Sequence, residues 1–240
     1  MGLSAAWIAM TAGRRSVAAG PLPAAATPAG RTSVESGARF AYVGSFTSET
    51  RHAHGEGLAV YRIDATSGRW TRVQVLAREV NPSFLALGPR HVGFHSRLPY
   101  AYVINELDST VATYRLAASG ALEPLQVLPS TPATFTGDNT GAAIAVAPSG
   151  RFVYGSNRGH DGVGVFRVDE SSGCLSPIGW EPTRGATPRF IGLDPAGGRL
   201  FAANQRGDSS VEFEVNQATG ALRATGQAVA TGTPACVALR

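Results

Sequence analysis

The sequence predicts an all-β fold built from a repeated four-stranded unit, and three observations support this. The 29 Gly and 15 Pro stand at intervals between short apolar runs, which is the pattern of many turns between many strands. Hydrophobic residues make up 43% of the 240 residues, which is ample for a core. From residue 40 onward, four stretches follow one plan of strand, polar turn, strand, glycine-closed turn and strand.

The four stretches begin at FAYVGSF, YAYVINEL, RFVYGSNRG and RLFAANQ. Their turn glycines, Gly68, Gly120, Gly173 and Gly220, are 52, 53 and 47 residues apart. A further strand follows each stretch, as NPSFLAL, GAAIAVA, TPRFIGL and TPACVAL. Four short antiparallel strands in a period of this length are typical of a β-propeller blade. The sequence therefore predicts a β-propeller with about four blades of four antiparallel strands.

The order of strands within the repeat has two consequences. Within each repeat, the strand that begins near a proline is called strand A, and the three strands that follow it are called B, C and D. The repetitive region then begins with a B strand and ends with an A strand. The final strand, Thr233–Leu239, is predicted to pair with the N-terminal strands of Phe40–Leu76 if the ends meet. Two A strands, Asn81–Leu87 and Gly88–Phe94, follow each other directly. Whole blades are therefore expected to be missing between Leu87 and Gly88, leaving the first of these strands at an edge.

Residues 1–39 are rich in Ala, Gly, Pro and Ser and are predicted to be a disordered or targeting tail, with the propeller domain at 40–240. Arg14-Arg15 follow the apolar stretch Leu3–Met10, whereas a signal peptide begins with basic residues. A cytoplasmic location is expected, with export through the N-terminal segment as the alternative. No segment approaches the ~20 apolar residues of a membrane span.

Composition and motifs exclude several function classes. All 21 basic residues are arginine, which excludes lysine-based covalent chemistry. The net charge of +4 falls to +1 without residues 1–39, which hold four Arg and one Glu, so no nucleic-acid partner is expected. Cys174 and Cys236 lack metal-ligand spacing and are expected as buried thiols. Without HExxH, GxSxG or GxGxxG motifs, no metal or cofactor is expected.

Equivalent positions of successive blades share one end of a propeller channel, so the ends of the B strands are expected to converge there. Arg90 and Arg189, each just after an A-strand proline, are expected to join them. Arginine holds phosphate or carboxylate by paired hydrogen bonds, Glu106 can deprotonate a water, and His91 can share the acid/base work. The catalytic candidates are Glu106, Arg90, Arg158 and His91, and the substrate-binding candidates are Asn105, Asn157, Arg189, Asn204 and Gln205.

Lactone hydrolysis suits such a set of residues. Water attacking the ring carbonyl creates an oxyanion, which a nearby arginine or asparagine N–H stabilises, and no nucleophilic serine is needed. Asn157 and Asn204 have an alternative role, because an asparagine before a turn is a common turn former.

Long motifs in a consistent order resemble the bacterial lactonase family of seven-bladed propellers, which includes propeller-type 6-phosphogluconolactonases and the fungal carboxymuconate cyclase. They include AYVGSFT, GLAVYRIDATSG, GPRHVGFH, AYVINELDSTVATYRL and TPRFIGLDPAGGRLFAANQ, and they cover residues 40–240. The resemblance implies an incomplete propeller, lacking about three of seven blades. It also implies active-site roles for Arg90 in GPRH, Glu106 in NEL and Arg158 in SNRG. A further family histidine would fall in the missing blades, and Ala143 replaces an expected glutamate.

Three function classes remain open. The resemblance favours a lactonase acting on a small anionic lactone, most simply 6-phosphogluconolactone. The second is a carboxymuconate-type lactonizing cycloisomerase that uses the same arginines. The third is a degenerate, non-catalytic propeller fragment. Neither a nucleic acid nor a membrane is expected as a partner.

Overall fold

The computed structural model describes residues 7–9, 39–44, 58–76 and 89–238, and in these ranges it contains strands and turns but no helix. The strands form four antiparallel sheets of four, which we call blades I to IV. This confirms the predicted all-β class and the four-stranded blades.

Each blade consists of four consecutive strands in the order A, B, C, D. Blade I contains β1 (Trp7–Ala9), β2 (Arg39–Gly44), β3 (Leu58–Ile63) and β4 (Trp70–Leu76). Blade II contains β5 (Pro89–Phe94), β6 (Tyr100–Asn105), β7 (Thr110–Leu116) and β8 (Leu122–Pro129). Blade III contains β9 (Thr140–Val146), β10 (Phe152–Arg158), β11 (Gly162–Val168) and β12 (Leu175–Pro182). Blade IV contains β13 (Pro188–Leu193), β14 (Arg199–Asn204), β15 (Ser209–Val215) and β16 (Leu222–Ala230).

Successive blades pack face to face through hydrophobic clusters, one between each neighbouring pair. The B strands contribute the large side chains, such as Tyr102 between blades II and III and Tyr154 between blades III and IV, both fully buried. Strands β6 and β10 are buried almost throughout, and each supplies side chains to both faces of its blade because successive side chains point to opposite sides of the sheet.

A repeated contact links the start of each B strand to the next blade. Phe40, Tyr100 and Phe152 lie against the turn glycines Gly120, Gly173 and Gly220 respectively. These glycines have φ of +83°, +75° and +78°, a left-handed conformation that suits glycine. The absence of a Cβ also lets the ring lie directly on the turn backbone.

Glutamines on the D strands form a second repeated contact between blades. The Gln126 side chain donates to the backbone carbonyl of Leu175 at 3.1 Å and accepts from its N–H at 2.7 Å. Gln74 bonds to Leu122 in the same way, at 3.3 and 2.8 Å. Each glutamine thereby satisfies both backbone groups of a residue that begins the neighbouring D strand.

The ends of the chain differ from the prediction. Within residues 1–39, which are predicted to be a disordered or targeting tail, Trp7–Ala9 forms β1 and pairs with Tyr42–Gly44 of β2. The predicted final strand, Thr233–Leu239, does not form: residues 233–238 have no strand assignment. Among the described residues no strand pairs with this segment, and β2, its predicted partner, pairs with β1 and β3. The surplus strand Asn81–Leu87 lies outside the described residues.

Candidate active site

The turns between strands B and C form one end of each blade, which we call the rim. Ser109, Asp161 and Asp208 occupy equivalent positions in these turns with φ of +54°, +53° and +44°. Each of their carbonyls accepts an N–H from the end of strand D, at 2.8 to 2.9 Å. Because the same turn recurs in blades II, III and IV, the ends of strands β6, β10 and β14 occupy equivalent positions at the rim of their blades.

Glu106, Arg90 and Arg158 come together at the rim between blades II and III. Arg158 Nη2 lies 2.7 Å from Glu106 Oε1, and Arg90 Nε lies 3.8 Å from Glu106 Oε2. The Glu106 side chain is 2% exposed, whereas those of Arg90 and Arg158 are 13% and 14% exposed. The carboxylate therefore lies behind two guanidinium groups that retain some contact with solvent.

Backbone carbonyls of β9 hold the two arginines in place. Arg90 Nη1 donates to the Ala142 carbonyl, and Arg158 Nη2 donates to the Gly141 carbonyl at 3.2 Å. The Gly141 N–H in turn donates to the Glu106 carbonyl at 3.0 Å. A Cβ on Gly141 would lie 2.4 Å from the Asn105 carbonyl oxygen, so glycine is needed for this close approach of β9 to β6.

Sequence reasoning did not find the part that Gly141 and Ala142 play. The available signal was that GAAIAVA has glycine at the place where the other A strands have proline. A glycine at such a position indicates a close backbone approach.

His91 points towards blade III. Its Nδ1 accepts the backbone N–H of Ile144 at 3.2 Å. Burial, and secondarily the charge of Arg90, lower the pKa of His91 from 6.5 to about 4. The imidazole is therefore neutral at physiological pH and holds β5 against β9.

Asn105, Asn157 and Asn204 are buried, and their amides hold the rim turns. The Asn105 Nδ2 donates to Thr110 Oγ1 at 2.9 Å, and the Asn204 Nδ2 donates to the Thr183 carbonyl at 3.0 Å. Asn157 Oδ1 accepts hydrogen bonds from two side chains, and its Nδ2 donates to the Ser130 carbonyl at 2.8 Å. These hydrogen bonds are compatible with the turn-forming alternative for Asn157 and Asn204.

Arg189 and Gln205 occupy, in blade IV, the places that Arg90 and Glu106 occupy in blade II. Both are partly exposed, and the Gln205 N–H donates to the Thr187 carbonyl at 2.8 Å. Among the described residues, the Arg189 guanidinium makes no hydrogen bond or ion pair. Because glutamine replaces glutamate here, no carboxylate stands at the position that Glu106 has beside Arg90.

The described ranges contain no group of three or more His, Cys, Asp or Glu that could hold a metal ion. The same ranges contain no helix long and apolar enough to cross a membrane.

The family model described as "Lactonase, 7-bladed beta-propeller" matches residues 86–239. The chain belongs to this lactonase family. The 6-phosphogluconolactonase of Bacillus subtilis is 39% identical over 151 residues, which are 62% of this chain and 43% of that protein. The 6-phosphogluconolactonase of Pectobacterium carotovorum is 39% identical over 137 residues, 57% of this chain and 41% of that protein. The chain therefore spans less than half the length of these lactonase relatives.

Two solved structures share the fold of this chain. A Bacteroides uniformis protein described as a candidate 6-phosphogluconolactonase superposes with a TM-score of 0.70 at 25% identity, covering 82% of this chain and 53% of that one. The periplasmic gluconolactonase of Pseudomonas aeruginosa gives a TM-score of 0.62 at 23% identity, covering 82% of this chain and 69% of that one. The latter comparison shows the fold alone.

Proposed function

We propose that the chain binds a small anionic lactone at the cluster of Arg90, Glu106 and Arg158 and hydrolyses it, with a 6-phosphogluconolactone-type sugar lactone as substrate. The observation that supports this most directly is one buried carboxylate held by two partly exposed guanidinium groups from adjacent blades. Two arginines and one glutamate leave a net charge of +1, which favours an anion. The 6-phosphogluconolactonases among the relatives support the choice of substrate.

Substrate binding and activation of Glu106 are linked in this proposal. An anionic group that binds Arg90 and Arg158 takes up guanidinium N–H groups that otherwise contact the Glu106 carboxylate. Glu106 is then available as a proton acceptor, in the place where a bound lactone needs one. Arg189, whose charge is not neutralised by a partner among the described residues, would add a second contact to a phosphate or carboxylate group.

The chemical step is an ordinary ester hydrolysis. A water molecule gives one proton to Glu106, and its oxygen bonds to the ring carbonyl carbon. The resulting oxyanion accepts hydrogen bonds from the N–H groups of Arg158, which stabilise the developing charge. When the ring C–O bond breaks, Glu106 returns the proton to the leaving oxygen, and the new carboxylic acid ionises.

Glu106→Gln tests the proposed base. The substitution keeps the size of the side chain and removes its ability to accept a proton, so kcat should fall by about 10²-fold or more. Glu123→Gln is the matched control, because Glu123 pairs with Arg115 on the exposed surface of the same blade, and its variant should keep full activity. The assay is hydrolysis of 6-phosphogluconolactone, with carboxymuconolactone as a second substrate.

The results of this assay distinguish the proposal from its competitors. Turnover of 6-phosphogluconolactone that Glu106→Gln leaves unchanged would place the chemistry elsewhere. Turnover of carboxymuconolactone alone would favour a cycloisomerase. No turnover by the unsubstituted chain would overturn the proposed activity.

A further inference from the structure

Strand β9 has a bulge where it passes the proposed active site. The ladder between β9 and β10 shifts its register between Gly155 and Asn157, so that Ser156 stands opposite two residues, Ala142 and Ala143. A bulge leaves backbone groups outside the regular ladder and bends the strand, and bulges are common next to active sites. The backbone groups of this bulge are therefore available for bonds to side chains.

Each of the four residues 141–144 of β9 bonds a side chain through its backbone. The first two residues accept hydrogen bonds at their carbonyls from Arg158 and Arg90. The third donates its N–H to Ser156 Oγ at 2.9 Å, and the fourth donates its N–H to His91 Nδ1 at 3.2 Å. One short backbone segment thus holds both arginines of the site and the histidine beside them.

Ser156 makes the bulge of blade III differ from those of its neighbours. The equivalent residues are Ile104 in blade II and Ala203 in blade IV, and both of them pair in the ladder with their A strands. In those A strands one residue, Arg90 or Arg189, is left out of the pairing, whereas in β9 two residues are left out. The hydroxyl of Ser156 takes the place of a ladder partner, and the bulge is wider there.

We propose that Ser156 is a positioning residue of the active site, because its hydroxyl holds the bulge of β9 open at Ala143 and the bulge holds Arg90, Arg158 and His91 in place. The consequence for catalysis rests on the proposed lactone hydrolysis. The consequence for the structure of the site does not.

The physical reason is the burial of the Ala143 N–H. Ser156 is 0% exposed and Ala143 is 1% exposed, so water cannot readily replace the hydroxyl as acceptor. Without the hydroxyl, this N–H regains a partner when the bulge closes into regular pairing with β10. Such closure moves the residues on either side of Ala143, and these are the residues that hold Arg90 and His91.

Steady-state kinetics of Ser156→Ala test the effect on the arginines. The KM for 6-phosphogluconolactone should rise by about tenfold with a smaller change in kcat, because the displaced arginines bind the anion while Glu106 remains on blade II. Ser156→Cys keeps the size of the side chain with a weaker acceptor and should give an intermediate KM. Tyr154→Phe is the matched control, because it removes another buried hydroxyl of β10, which donates to the Gly220 carbonyl at 3.1 Å, and it should leave KM unchanged.

Nitrogen NMR of the histidine rings gives a second measurement, which needs no turnover. The signals of His91 are identified by their loss in His91→Gln. In the unsubstituted chain the pKa of His91 is about 4, because burial and the charge of Arg90 lower it. In Ser156→Ala, Nδ1 loses the Ile144 N–H, which favours the neutral ring, so the pKa should rise towards 6.5. Tyr154→Phe should leave this pKa where it is.

The outcomes separate this proposal from the proposed function. An unchanged pKa of His91 in Ser156→Ala would overturn the role of Ser156, and so would an unchanged KM in a chain that hydrolyses the lactone. Equal effects of Tyr154→Phe would also overturn it, since they would indicate general loosening of β10. If the unsubstituted chain shows no turnover, the hydrolysis proposal fails and the NMR measurement decides the role of Ser156. If Ser156→Ala does not fold, both measurements are made on Ser156→Cys.

Discussion

Gly173→Ala should destabilise the protein far more than Gly68→Ala, although the two glycines occupy equivalent turns with φ of +75° and +68°. Any residue with a Cβ costs about 1–2 kcal/mol in the left-handed conformation, and both variants incur this cost. A Cβ at position 173 would also lie 2.4 Å from Cδ1 of Tyr100, whereas one at position 68 meets no described residue within 4 Å. Because Tyr100 is held in the cluster between blades II and III, the clash should add about 1–3 kcal/mol.

The assay is urea unfolding of both variants beside the unsubstituted chain, at one concentration low enough to limit association. The free energy of unfolding should fall by about 1–2 kcal/mol for Gly68→Ala and by about 2–5 kcal/mol for Gly173→Ala, the sum of the two costs. Equal losses in the two variants would show that the ring of Tyr100 can move away without cost. The inter-blade contact would then not be the stabilising device that we infer.

Two further predictions concern contacts between blades. Because the pKa of His91 is lowered to about 4, His91 stays unprotonated in the folded chain between pH 6.5 and pH 4, whereas in the unfolded chain it binds a proton in this range. Stability should therefore fall by about 3 kcal/mol between pH 6.5 and pH 4, and His91→Gln should remove this part of the pH dependence in acid unfolding. Gln126→Ala leaves both backbone groups of Leu175 without their partner and should lower the free energy of unfolding by about 1–3 kcal/mol, measured in urea. A loss near zero would mean that water replaces the glutamine.

Local patterns were sufficient to predict the blades. Turn glycines and alternating apolar residues mark each strand, because a hairpin is determined by residues close in sequence. The association of Arg90 with Glu106 follows from the same level of structure, since Pro89 pairs with Asn105 in the β5–β6 hairpin. Their ion pair connects the two positions that flank this pair.

Contacts between blades were harder to predict from one sequence. Arg158 reaches Glu106 across 52 residues, and Ala142 accepts from Arg90 across 52 residues. The repeat places these residues at the same rim but does not reveal which carbonyl faces which side chain. The side-chain hydrogen bonds of the rim asparagines were hard to predict for the same reason, because each depends on partners from the turn and the D strand.

The sequence by itself determined the all-β class, the four-stranded blades and the rim on which Arg90, Glu106 and Arg158 lie, because periodicity and turn chemistry are local properties. The tertiary structure alone decided which segment occupies the inner edge of β2. A β edge binds any extended segment through backbone groups, so side-chain patterns do not select between Trp7–Ala9 and Thr233–Ala238. Proximity and packing make that choice, and these depend on where the blades stand in space.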